Sequence, residues 1–237
     1  MSDNIQIGLI LPDVLGTYGD GGNALVLRQR LRMRGYNADI VEITIADPVP
    51  ESLDIYTLGG AEDYAQRLAA RHLLKHPGLQ RASERGAPVL AICAAIQLLG
   101  TWYETSEGER VDGVGLIDVS TVPQQKRSIG ELVTTPAIAG LSAPLCGFEN
   151  HRGGTTLGPD AEALGTVTAG VGNGVGDGRE GVVQGSVLGT YMHGPALARN
   201  PELADLLLRR ALGVESLEPL ELPDVEKLRR ERLAAAH

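Results

Sequence analysis

The sequence predicts an α/β protein: a mostly parallel sheet flanked by helices, with antiparallel hairpins added to it. Three observations predict this. The first hundred residues alternate short apolar runs with helix-like runs. Residues 114–190 switch to short β-like runs separated by glycine-rich turns. The 237 residues are 43% hydrophobic but only 3% aromatic, so the core has to be built from Leu, Val, Ile and Ala.

Taken in order, "IQIGLILP" (5–12) is an apolar run ending in turn residues and reads as a buried parallel strand. "NALVLRQRLRMRG" (23–35) sets Leu25, Leu27, Leu31 and Met33 among arginines and closes on Gly35, a helix with a glycine stop. "ADIVEITI" is the next strand, and "LDIYTLGG" (53–60) another, ending in a glycine pair. "EDYAQRLAARHLL" is helical with Leu68, His72 and Leu73 near one face, which makes it a surface helix. "PVLAIC" is a strand and "AAIQLLG" a helix. The runs "VGLIDVS", "GELVTT", "LCGFEN" and "EGVVQGSVLGTYMHG" read as hairpins attached to the sheet. "PELADLLLRRAL" (201–212) is a helix with proline in its first turn, and "DVEKLRRERLAAA" places a charged C-terminal helix at about 223–236. With no internal repeat and no linker, the expectation is a single domain over residues 1–237.

A net charge of −9 and pI near 5.1, with no basic cluster among aromatics, argue against nucleic-acid binding. The two cysteines, Cys93 and Cys146, make no metal-ligand spacing, and no metal site is expected. So few cysteines fit a reducing, cytoplasmic setting. The start of the chain lacks a basic leader and no apolar run reaches the ~18 residues of a membrane helix, so membrane contact would come through a partner or a lipid-linked substrate.

Chemistry points to Cys93. It falls where a buried strand gives way to a helix, the place where open α/β sheets build their sites. A residue in such a turn is exposed at the sheet edge, and the helix start directs N–H groups and positive dipole at the sulfur, favouring thiolate. A nucleophilic cysteine needs a base. Of five histidines, His72 and His76 lie on the surface helix and His237 ends the chain. His151 and His193 remain, and His193 in "TYMHGP" follows a strand, so it faces Cys93 if both strands share a sheet. The alternative is a buried core thiol with an unrelated loop histidine. Gly60, in "LGGAEDY", suits an oxyanion-binding turn or an ordinary tight turn. Gln97, one helical turn after Cys93, is either a substrate contact or a surface glutamine.

The motif A-I-C-A-A-I-Q, with the upstream glycine pair and downstream histidine, resembles class I glutamine amidotransferases, whose elbow reads G-x-C-x-G-x-Q; both elbow glycines are alanines here. "LPDVLGTYGDGGNALVLRQRLRMRG", "YTLGGAEDYAQ", "GVGLIDVST", "GFENHRGGTTLG" and "GTYMHGP" together resemble the cobyric-acid-synthase-like branch, and within it the glutaminase subunits of lipid II isoglutaminyl synthases. The likeness runs in order from Ile5 to about Leu212. It implies a flavodoxin-like, three-layer fold. It implies Cys93 as nucleophile, His193 as base, oxyanion donors at Gly60 and Ala94, and substrate contacts from Gln97 and Arg127, the latter holding the glutamine carboxylate. It also implies a heterodimer with a Mur-ligase-like synthetase (MurT type), a lipid-linked acceptor there, and ATP and Mg²⁺ bound by that partner, with no cofactor in this chain. The location implied is cytoplasmic, at the inner face of the membrane through the lipid-linked substrate. Rival readings are an amidotransferase or γ-glutamyl hydrolase for another acceptor, and a non-catalytic binding module.

Many class I relatives read His-x-Glu, whereas "HGPAL" has a proline two residues after His193. Either the site works as a Cys–His dyad, or a distant carboxylate such as Asp20 or Glu149 folds back, or a partner supplies the acid. The resemblance favours the partner. "TYGDGGN" (17–23) lacks a nucleotide-binding glycine spacing and reads as a loop lining the site or the partner face. His151 and Arg152 either face the pocket or form an ordinary turn.

Overall fold

A computed structural model describes residues 4–236; His237 and the first three residues lie outside it. In chain order the first half holds β1 (Ile5–Ile10), α1 (Gly22–Met33), β2 (Ala38–Ile43), β3 (Ile55–Leu58), α2 (Asp63–Lys75), α3 (Gly78–Glu84), β4 (Val89–Ile92) and α4 (Ala94–Leu99). The second half holds β5 (Trp102–Glu104), β6 (Arg110–Asp112), β7 (Val119–Pro136), β8 (Leu145–Leu157), β9 (Gly165–Ala169), β10 (Arg179–Glu180), β11 (Val182–Gln184) and β12 (Val187–Thr190). It ends in α5 (Ala196–Arg199), α6 (Pro201–Leu212) and α7 (Pro223–Ala235).

One sheet runs β11-β12-β4-β3-β1-β2. All its pairings are parallel except the edge hairpin β11–β12. Strands β3, β4 and β12 are buried along their whole length, which explains their continuous apolar runs. Helix α1 packs with α5 and α6, and α2 packs with α4. Asp205 of α6 accepts from both Arg30 of α1 (2.6 and 2.8 Å) and Arg34 just beyond its end (2.9 and 3.1 Å), pinning the two helices together.

The antiparallel part departs from expectation. Only β11 joins the parallel sheet; β5–β10 build a second sheet of their own, ordered β10-β9-β7-β5-β6, with β8 on β7. "VGLIDVS" is mostly loop, becoming strand only at Val119. The β7–β8 hairpin is long, and its register breaks between Pro123 and Ser128. The two sheets meet through short bridges, Phe148 with His193 and Glu162 with Val183. His72 is also not a surface residue: it is buried, while Leu68 points outward. Helix α3, absent from the sequence reading, lies between Pro77 and Gly86.

Strand order decides where a site can form. β1 is followed by β2 on one side and β3 on the other, a reversal of direction that opens a crevice at the carboxyl ends. β12 pairs with β4 in register, Thr190 opposite Ile92. The chain therefore leaves β4 at Cys93 and β12 at Tyr191 from neighbouring points of one edge. β3 delivers Gly59 and Gly60 there, and β1 delivers the loop that contains Asp20.

Candidate active site

Cys93 occupies the turn from β4 to α4 with φ 54° and ψ −110°. Positive φ is strained for a side-chain-bearing residue, and such strain persists where surroundings fix it. Here the Cys93 N–H donates to Thr190 O at 2.9 Å, tying the turn to the end of β12. Ala91 and Ala95, which stand at the two elbow-glycine positions, are both fully buried against the turn.

Across the edge stands His193. Its Nδ1 lies 3.0 and 3.2 Å from the two oxygens of Asp20. A carboxylate only accepts, so Nδ1 carries the proton and Nε2 is left as the acceptor. Nε2 is buried and has no hydrogen-bond partner among the described residues, Cys93 included. Thiol and imidazole are thus neighbours that are not yet engaged, an arrangement common before substrate binds. Gly60 sits between them. A Cβ at Gly60 would lie 3.2 Å from His193 Cε1, 3.4 Å from Cys93 Cβ and 3.5 Å from Asp20 Oδ2. A side chain there would press on the imidazole and make ordinary contact with the other two groups, so Gly60 marks the point where all three converge.

Three expectations are corrected by this geometry. The carboxylate facing His193 comes from this chain: Asp20, in the "TYGDGGN" loop, occupies the place the resemblance gave to a partner. The Gly60 N–H is not an open oxyanion donor, because it donates to Asp20 Oδ2 at 2.9 Å. The next N–H, that of Ala61, has no partner among the described residues, and Ala61 lines the same cavity as Cys93 and Ala94. The thiol is not poised as thiolate either. Burial pushes Cys93 up to about 12, and the Asp20 charge adds to this, against the opposing pull of the Ala94 N–H. Helix α4 is only six residues long, and its start does not outweigh desolvation.

The cavity beside Cys93 measures about 260 Å³. One wall is basic: Arg127, His151 and Arg152 of the β7–β8 hairpin. Arg127 lies at the register break, in a strand and not a loop, and donates to Asn150 Oδ1 at 3.0 Å. Bulges re-aim side chains, which accounts for its turn toward the cavity. His151 is a buried strand residue, stacked on Tyr191 with ring centroids 3.9 Å apart; its Nδ1 meets Gly153 O at 3.1 Å, and its Nε2 lies 3.5 Å from Glu149. Glu149 accepts from Val171 and Gly172 N–H and does not reach His193. Glu62, Asp63 and Glu104 also line the cavity. Charged groups of both signs therefore line the cavity that holds the thiol, as a zwitterionic amino acid would need.

Gln97 lines the cavity, but both its polar ends are engaged: Oε1 accepts from Gln66 (3.2 Å) and Nε2 donates to Tyr191 OH (3.3 Å). It is part of the wall. Sequence reading passed over Tyr18, whose ring lies 4.7 Å from that of His193 and whose hydroxyl donates to Glu62 at 2.9 Å. Its signal was its position two residues before Asp20 in the loop after β1. Gln66 and Ala61 were also passed over. Cys146 is buried 54 residues from its partner Asn200, on the β8 side, and does not line the cavity.

A strand-end cysteine, a histidine beyond the adjacent strand end with its carboxylate, and a cavity at the thiol define an amidotransferase-type site on a class I scaffold. Residues 6–201 match the CobB/CobQ-like glutamine amidotransferase domain, and the chain belongs to that family. It is 38% identical to the lipid II isoglutaminyl synthase (glutamine-hydrolyzing) subunit GatD of Staphylococcus aureus, over 90% of this chain and 87% of the relative. Identity to the GatD subunit of Streptococcus pneumoniae is 33%, over 97% of this chain and 89% of that one. The fold is also that of the glutaminase domain of Trypanosoma brucei CTPS, solved with bound acivicin: TM-score 0.55 at 10% identity, covering 94% of this chain and 99% of that one.

Proposed function

We propose that the chain is the glutaminase subunit of a lipid II isoglutaminyl synthase. Cys93 Sγ attacks the side-chain amide carbon of glutamine, and its proton passes to His193 Nε2. Asp20 holds Nδ1 and stabilises the imidazolium that forms. The N–H groups of Ala94 and Ala61 stabilise the oxyanion. The carbon–nitrogen bond breaks, ammonia leaves with the proton from His193, and a γ-glutamyl thioester remains. Water, deprotonated by His193, hydrolyses the thioester to glutamate and restores the thiol. Arg127 binds the substrate carboxylate, where a guanidinium fork matches two oxygens.

The ammonia passes to a Mur-ligase-like synthetase in a heterodimer, which amidates the D-glutamate of lipid II to D-isoglutamine. ATP and Mg²⁺ serve that partner. The chain acts as a single domain in the cytoplasm, at the inner face of the membrane through the lipid-linked acceptor. No helix among the described residues is long and apolar enough to cross a membrane. The observation that carries this reading is the convergence of Cys93, His193 and Asp20 from three strand ends, supported by the likeness to GatD subunits over nearly the whole chain. It is tested with Cys93→Ala in the complex. Amidation driven by glutamine is lost and amidation driven by free ammonia is retained; loss of both would assign Cys93 a structural role instead.

A further inference from the structure

Gln66 is 4% exposed and lines the cavity from the first turn of α2. Its Nε2 donates to Ala61 O and to Gln97 Oε1, each at 3.2 Å. Its Oε1 is buried with no partner. The Ala61 carbonyl fixes the orientation of this amide: turned over, its oxygen would face that acceptor and its NH₂ would face none. The two bonds donated by Nε2 constrain the segments they reach.

That constraint is visible in what the two bonds join. Ala61 lies in the turn after β3, and Gln97 lies on α4 one turn after Cys93. Gln66 therefore ties together the two segments that flank the thiol, those carrying the free N–H of Ala61 and the N–H of Ala94. Gln97 extends the tie to Tyr191 OH, and Tyr191 OH meets Thr155 Oγ1 at 2.6 Å, reaching the second sheet.

We infer that Gln66 is a positioning residue for oxyanion stabilisation: its side-chain NH₂ clamps the Ala61 carbonyl to Gln97 and so fixes the Ala61 and Ala94 N–H groups relative to Cys93. The inference rests on the glutaminase reading. It acts through placement of donors aimed at charge that develops in the transition state, so it affects kcat more than KM. Losing one such donor typically costs about 10²–10³-fold in kcat, and loosening one costs less.

The test measures glutamate formation from glutamine by the full chain, alone and with its synthetase. Gln66→Leu is expected to lower kcat roughly tenfold or more with KM changed less than about threefold. Gln66→Glu, of the same shape but unable to donate, is expected to show the same loss. Gln97→Leu removes the other end, so the double variant is expected to be little worse than the poorer single one. Thermal melting of each variant corrects for folded fraction. Full kcat per folded molecule, a loss confined to KM, or additive losses in the double variant would overturn the inference while leaving the glutaminase reading intact. A wild-type chain that hydrolyses no glutamine under either condition would overturn both.

Discussion

At the scale of residues, the site is a set of choices about where protons sit. Asp20 makes three hydrogen bonds or close contacts, to Nδ1 of His193 through both oxygens and to the Gly60 N–H. It thereby fixes the imidazole tautomer that a base needs. Asp20→Asn keeps the shape but can present its NH₂ to Nδ1, which favours the wrong tautomer. Glutamine hydrolysis should fall by about 10²–10⁴-fold, the usual weight of general base catalysis, with thermal stability little changed. Activity of the variant near wild type in the assembled complex would show that a partner's acid does this work. Asp20 was weighed from the sequence and not chosen, and the reason is physical. It stands 173 residues from His193, and only the β1–β3–β4–β12 order brings them together. Cys93 was easier to find because its signal, a strand-to-helix turn bounded by alanines, is local.

At the scale of elements, the C-terminal edge of the parallel sheet is held by a buried carboxylate. Glu180 of β10 accepts from Thr190 Oγ1 (2.7 Å) and Tyr191 N–H (2.8 Å), just before His193. Burial raises it to about 7, against the pull of those two donors. A raised carboxylate contributes stability that is complete below its ordinary value near 4.5 and is lost as pH rises through 7. The loss is on the order of 3 kcal/mol. Glu180→Gln keeps the acceptor toward Thr190 and Tyr191 and removes the titration. Scanning calorimetry should therefore show wild-type Tm falling by several degrees between pH 5 and pH 8, with the variant nearly flat. An equal fall in both would show that Glu180 is not the source. The alternation of β1 through α4, and the start of α6 at Pro201, were legible because periodicity and end signals are local. The second sheet was not. Which strands pair is decided by partners far along the chain, and "GELVTT" or "LCGFEN" reads the same whether it joins one sheet or another. Helix α3 escaped because seven residues between Pro77 and Gly86 are too few to show a face.

At the scale of the whole molecule, the parallel sheet supplies reacting groups and the second sheet supplies Arg127, His151, Arg152 and Glu104 to the cavity lining. Arg127 and His151 thus meet Cys93 only because the β7–β8 hairpin lies over the sheet edge, with Phe148 bridged to His193. The two cysteines allow catalytic and merely buried thiols to be told apart in one experiment. At pH 8 a thiol that burial pushes up to about 12 stays protonated, so Cys93 should resist a simple alkylating reagent. A reagent that binds as glutamine does brings its own reacting carbon to the thiol beside His193. The full chain, alone and with its synthetase, is treated with a glutamine-mimicking diazo-ketone and the adduct mapped by mass spectrometry. One adduct is expected, on Cys93, suppressed by excess glutamine, with Cys146 untouched. Absence of a Cys93 adduct under both conditions, or labelling of Cys146 to the same extent, would contradict the assignment of Cys93 as nucleophile.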